Sequence, residues 1–107
     1  MEKNDQFFVN KIIESIDIIL DVTKDKTIKE IENNILINNT VMFQFMLIGE
    51  CVARLSDEYK NKKDIPWTRI KGLRNIVVHN YDSVDYSLIN ETIFNDLPKL
   101  KKIIKNL

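Results

Sequence analysis

A chain of 107 residues supports one hydrophobic core, so any catalytic centre has to sit on a single domain, residues 1–107, or be shared between copies of it. Hydrophobic residues make up 44% and charged residues 30%, with only two glycines and two prolines, too few breakers for a many-stranded architecture. Sixteen Lys and Arg balance sixteen Asp and Glu, which excludes a global positive field toward nucleic acid and confines such binding to a local patch.

Phe8, Ile12, Ile16 and Ile19 recur on one face of residues 5–22, with Glu14, Asp17 and Asp21 away from it, which predicts an amphipathic first helix. Those three acids are expected to form a solvated face rather than an acidic site. Thr27 and Glu30 have the spacing of a capping box and predict a short second helix ending near the Asn-rich stretch 33–39. From Thr40 to Tyr59 the stripe Phe45, Ile48, Val52, Leu55 and Tyr59 is widened by Met42, Phe43, Met46, Leu47 and Cys51, which predicts a third helix buried on most sides.

The polar run 60–64 reads as a loop, and Pro66 suits the first turn of a fourth helix whose core face is Trp67, Ile70, Leu73 and Val77. Turn residues around Asp82 and Ser83 precede a last helix beginning with Leu88, Thr92 and Ile93. Pro98 is expected to kink or restart it before Leu100, Ile103, Ile104 and Leu107. Four to five helices on short loops predict an all-α, up-and-down bundle, since each stripe is buried only against its neighbours.

The single Cys51 excludes an internal disulfide and is expected in the core. The start MEKNDQFF lacks an apolar signal core, and the cluster VMFQFMLI is short for a membrane span, so the expectation is a cytoplasmic protein with no membrane contact. One Cys and one His give no metal-ligand spacing, and P-loop, dinucleotide-binding and serine-elbow patterns are absent, so neither metal nor cofactor is expected.

The stretch GLRNIVVHNY, residues 72–81, holds the only histidine. On a regular helix Gly72, Asn75 and His79 form one stripe roughly opposite Ile70 and Val77. A glycine inside a helix costs about 1 kcal/mol relative to alanine, which suggests close packing on that face, with a second copy of the chain as one candidate. Arg74 lies about 140° around the axis from His79, so a straight helix does not bring the pair together. Either the helix unwinds near Val78, or Arg74 reaches around, or a two-fold partner supplies its own pair. Imidazole exchanges protons near neutrality and guanidinium grips a phosphate through two parallel bonds, the needs of metal-independent phosphodiester cleavage. The plainer reading is a histidine near helix-terminal carbonyls and a solvated arginine.

IGE at 48–50, IPW at 65–67, GLRN at 72–75, HNY at 79–81, VD at 84–85 and DLP at 96–98 give the chain a second context. Together, over nearly the whole length, they resemble the HepT-like branch of the HEPN superfamily. The resemblance implies a helical bundle that dimerises with two Arg-x4-His-x-Tyr motifs facing a shared cleft. It implies a toxin endoribonuclease with Arg74 and His79 as catalytic residues and Asn75 in support, acting on tRNA or mRNA without metal. It further implies a minimal nucleotidyltransferase antitoxin that adds AMP units to Tyr81, placing bulky negative charge beside His79. Without the family, Tyr81 reads as an aromatic packed at a helix end. The sequence departs from the family at Asp82, where many relatives carry an aromatic, and a carboxylate there disfavours phosphate.

Arg69 and Lys71 are candidates for the local basic patch, though a solvated face is the commoner explanation, and Trp67 is expected to anchor the core rather than stack on a base. The competing function is a non-catalytic module that docks onto the nucleotidyltransferase.

Overall fold

The computed structural model describes residues 3–61, 65, 67, 70, 72–73 and 85–105. Every regular element among the described residues is helical, as the scarcity of breakers requires, and the chain is an all-α bundle. Helix α1 spans Lys3–Val22, α2 Ile28–Asn33, α3 Ile35–Ala53 and α4 Asp57–Asn61. Helix α5 spans Tyr86–Glu91, a π-helical turn occupies Thr92–Asp96, and α6 runs through Leu97–Lys105.

The predicted stripe of α1 supplies Ile12, Ile16 and Ile19 to the core, all without solvent exposure, while Phe8 is only half-buried beneath the guanidinium of Arg54. Helix α3 lies along α1 and contributes Val41, Phe45, Ile48 and Val52. Ile89, Ile93, Leu97, Leu100 and Ile104 complete one hydrophobic cluster from the C-terminal side. Removing this much apolar surface from water is the main force holding the bundle together.

The capping box forms as predicted. The Thr27 hydroxyl accepts the Glu30 backbone N–H at 3.2 Å, and the Glu30 carboxylate accepts the Thr27 N–H at 3.1 Å. The bond from the Thr27 backbone, and next the Thr27 hydroxyl donating to the same carboxylate at 3.1 Å, hold the Glu30 carboxyl below its usual range. Asn34 is where α2 ends and α3 begins. Its extended backbone interrupts the helix, its N–H donates to the Glu30 carbonyl, and its side-chain oxygen accepts from Leu36 and Ile37, both at 3.1 Å.

The structure therefore moves the third helix forward. It starts at Ile35 rather than Thr40 because an N-capping asparagine hides in a run that reads as a loop. It stops at Ala53 rather than Tyr59. Ser56 restarts the chain as α4, its hydroxyl accepting the Tyr59 N–H at 3.1 Å, and Tyr59 stays buried in the same cluster. Helix α5 likewise begins before Leu88, because the Asp85 carboxylate accepts from Ser87 at 3.0 Å and Leu88 at 3.2 Å. Asn38 donates to the Tyr86 hydroxyl at 2.6 Å and so fastens α3 to α5.

At Pro98 the regular α-helix restarts, with α6 beginning at Leu97. A proline lacks the N–H that a regular helix needs there, and its ring would press on the carbonyl four residues back. The preceding turn widens instead, with Leu97 N–H donating to the Thr92 carbonyl five residues earlier. The helix continues with Leu97, Leu100 and Ile104 still facing the core.

A third helix closed on most sides is also corrected. Phe43 is 52% exposed, Leu47 36% and Leu36 77%, so α3 keeps one open apolar face. Its 19 residues average a hydropathy of 1.5, long and apolar enough by length and composition to cross a membrane, a property the run VMFQFMLI alone understated. A helix at the centre of a bundle meets the same criterion, and α3 packs its Val41, Phe45, Ile48 and Val52 face into the protein core.

Candidate functional site

The sequence points to residues 72–82, and the described structure reaches this segment from both ends. Arg74, Asn75, His79, Tyr81 and Asp82 lie outside the described residues, as do Pro66, Val77, Arg69 and Lys71. On the near side Ile70 and Leu73 are buried in the main cluster, so Arg74 follows directly on a core-anchored residue. On the far side Asp85 caps the start of α5. Trp67 is half-buried against the core, its indole N–H donating to the Lys60 carbonyl at 3.1 Å and its ring 6.0 Å from that of Tyr59, which agrees with an anchoring role.

Gly72 is half-buried and lines a largely apolar cavity of about 320 Å³ together with Leu73, Leu88, Leu97, Lys99 and Ile103. Across this cavity Gly72 faces residues of α6. Lys99 lines the same cavity as Gly72 and Leu73, the two residues that precede Arg74 in the sequence. Lys99, Lys102 and Lys105 are exposed and follow at three-residue intervals along α6, forming a local basic strip in a chain without net charge. Lysines at a helix C-terminus also complement its dipole, which is the purely structural account of them. In the sequence the signal for this strip is the Lys-x2-Lys-x2-Lys spacing at 99, 102 and 105.

The acids of α1 behave as a solvated face. Glu14, Asp17 and Asp21 are exposed, Lys11 pairs with Glu14 at 3.8 Å and Lys101 with Asp17 at 2.5 Å. Among the described residues no group of three His, Cys, Asp or Glu side chains could hold a metal ion. Cys51 is half-buried rather than enclosed, and burial pushes its thiol up from the usual range, away from the reactive thiolate. Burial, reinforced by Asp5, raises the Tyr59 hydroxyl to about 12, so it stays protonated at any physiological pH.

The described residues therefore supply a helical frame, a buried Leu73 next to Arg74 in the sequence, and a row of cations on α6. Comparison with known proteins carries the rest. The family model described as "Ribonuclease HepT-like" matches residues 12–107. A protein of Methanocaldococcus jannaschii named as a candidate RNase is 34% identical over 107 residues, covering 98% of each chain. Another so named, from Caldanaerobacter subterraneus subsp. tengcongensis, is 26% identical across 94% of this chain and 90% of its own. A protein of Thermococcus cleftensis named as a probable ribonuclease HepT is 24% identical across 94% of this chain and 93% of its own. No solved structure matches the chain at a significant level.

Proposed function

Because the chain belongs to the HepT-like ribonuclease family, we propose that it is the endoribonuclease toxin of a toxin–antitoxin pair and cleaves RNA without a metal. The observation that carries this reading is the family match over residues 12–107, which spans every candidate residue from Gly72 to Tyr81. In the proposed reaction His79 takes the proton from a ribose 2′-hydroxyl as its oxygen attacks the adjacent phosphorus. The bond from phosphorus to the 5′-oxygen breaks, leaving a 2′,3′-cyclic phosphate and a 5′-hydroxyl that takes up a proton. Arg74 stabilises the charge growing on the phosphoryl oxygens, and Asn75 orients it.

Two copies of the chain form a dimer in this reading, each lending an Arg74 and a His79 to one cleft. The strip Lys99, Lys102 and Lys105 receives RNA phosphates flanking the cut. A minimal nucleotidyltransferase acts as antitoxin by transferring AMP from ATP to the Tyr81 hydroxyl with loss of pyrophosphate. The added phosphates repel RNA and fill the cleft. The proposed setting is the cytoplasm, where tRNA and mRNA are available.

The competing docking-module reading draws on Asp82, whose carboxylate disfavours phosphate near the cleft. RNA incubated with purified protein in EDTA separates the two. Wild type is expected to cut, and Arg74→Ala and His79→Ala to leave RNA intact with the helical circular dichroism unchanged. Intact RNA with wild type, or cutting by both variants, overturns the nuclease reading.

A further inference from the structure

The feature that neither the fold nor the proposed reaction uses is the cavity between Gly72 and α6. Ile70, Leu73, Leu97 and Leu100 form its floor and are buried. Leu88 and Ile103 line it as well, yet keep 36% and 40% of their surface in water, which places them at its rim. Gly72 contributes no side chain to the wall, and Thr92 and Asp96 bring both ends of the π-helical turn to it. Such turns are rare and frequently lie at functional sites.

Two charged groups line the cavity, Asp96 and Lys99, among the described residues. Asp96 is half-buried and already engaged, the Asn95 amide donating to it at 3.5 Å. Lys99 is exposed and has no ion-pair partner among the described residues. The Thr92 hydroxyl spends its proton on the Leu88 carbonyl at 2.8 Å. The cavity thus offers apolar surface within and the Lys99 cation at its edge. We propose that it binds a small monocarboxylate with an unbranched apolar tail, the tail in the cavity and the carboxylate on Lys99.

Size sets the ligand class. At ~30 Å³ for each water-sized group, a volume of about 320 Å³ takes about ten of them, close to the non-hydrogen atoms of octanoate. A sphere of that volume is about 8 Å across, narrower than the roughly 10–12 Å of a helix with its side chains, so a partner's helix does not enter. An inorganic anion meets Lys99 and leaves the apolar wall wet, whereas a tail covers that wall and its carboxylate meets the cation. The site lies outside the proposed reaction and does not depend on it.

Heteronuclear NMR of the labelled full chain, titrated with butanoate, hexanoate, octanoate and dodecanoate, tests it. Affinity is expected to rise about fourfold per methylene up to octanoate and to level off once the cavity is full. The shifted amides are expected to centre on Gly72, Leu88 and Ile103. Neutral octanol is expected to bind wild type up to about fivefold more weakly than octanoate, as suits an exposed pair, and Lys99→Gln is expected to bind the two alike. Ile103→Trp fills the cavity from its rim, where no sealed core opposes the larger ring, and is expected to weaken octanoate at least tenfold with helical circular dichroism retained. Should that variant unfold, Leu88→Trp closes the rim from α5.

No shift with octanoate, shifts centred elsewhere, affinity that climbs at the same rate through dodecanoate, or full binding by a folded tryptophan variant overturns the site. Octanol that binds wild type as tightly as octanoate overturns the carboxylate and with it the proposed ligand class.

Discussion

Asp5 receives the Ser56 backbone N–H at 2.8 Å and its hydroxyl at 2.5 Å, clamping the first turn of α1 onto the start of α4 across 51 residues of chain. Asp5 is only 2% exposed, so the clamp works in a place where water cannot substitute for it. Asp5→Ala leaves the Ser56 donors without their acceptor and is expected to lower unfolding free energy by about 2 kcal/mol. Urea titration checks this, and an unchanged midpoint contradicts the clamp.

Tyr59 makes a prediction about alkali. Its hydroxyl has no hydrogen-bond partner among the described residues, and burial raises it to about 12 from an ordinary value of 10. The folded state therefore holds this proton more tightly than the unfolded chain does, and the associated stability is complete below pH 10. It declines as pH rises from 10 through about 12. Tyr59→Phe is expected to remove the Tyr59 share of that decline and to leave stability at neutral pH equal or slightly higher, since an unsatisfied buried hydroxyl disappears. Thermal melts of both proteins from pH 7 to 11 check the sign.

In the core, Phe45 has no solvent exposure and belongs to the one cluster that gathers residues of α1, α3 and the C-terminal helices. Phe45→Ala is expected to cost about 4 kcal/mol, which a small bundle hardly survives. Loss of the cooperative thermal transition is the readout.

If the lysines of α6 receive RNA phosphates, their loss changes binding without touching the reaction. Lys99→Ala/Lys102→Ala is expected to weaken RNA binding and to lower the slope of log affinity against log salt by about 0.7 per lysine. Cleavage at saturating RNA stays at the wild-type rate. An unchanged salt slope assigns these lysines to the helix dipole instead.

Tyr81→Phe separates modification from cleavage. It keeps the ring and removes the hydroxyl proposed to accept AMP, so the variant is expected to cut RNA while resisting the nucleotidyltransferase and ATP. Mass spectrometry of the chain after incubation with both reads the outcome directly.

What the sequence discloses follows from what periodicity can register. Ile12, Ile16 and Ile19 announce α1 because polar residues separate them, and Thr27 with Glu30 announces α2 because capping is local. The end of α3 is invisible to the same reading, since Tyr59 continues the stripe at helical spacing while the break at Ser56 depends on Asp5, a partner 51 residues away. The open face of α3 escapes for a different reason: a helix apolar on nearly every side carries no phase from which to tell the covered side from the bare one. For the site, Gly72 lines a cavity shared with α6, whereas the roles proposed for Arg74, Asn75, His79 and Tyr81 rest on the family resemblance rather than on spacing, which leaves Arg74 and His79 on different sides of a regular helix.

The widened turn at Thr92–Asp96 acts as a slip joint. Five residues there occupy little more rotation than four would in a regular helix, so the joint already carries one surplus residue. Deleting half-buried Asn95 while replacing Pro98 with alanine should tighten it into ordinary helix and leave Leu97, Leu100 and Ile104 seated where they are. The final helix can thus shed a residue at this place and keep the wall across from Gly72 in register.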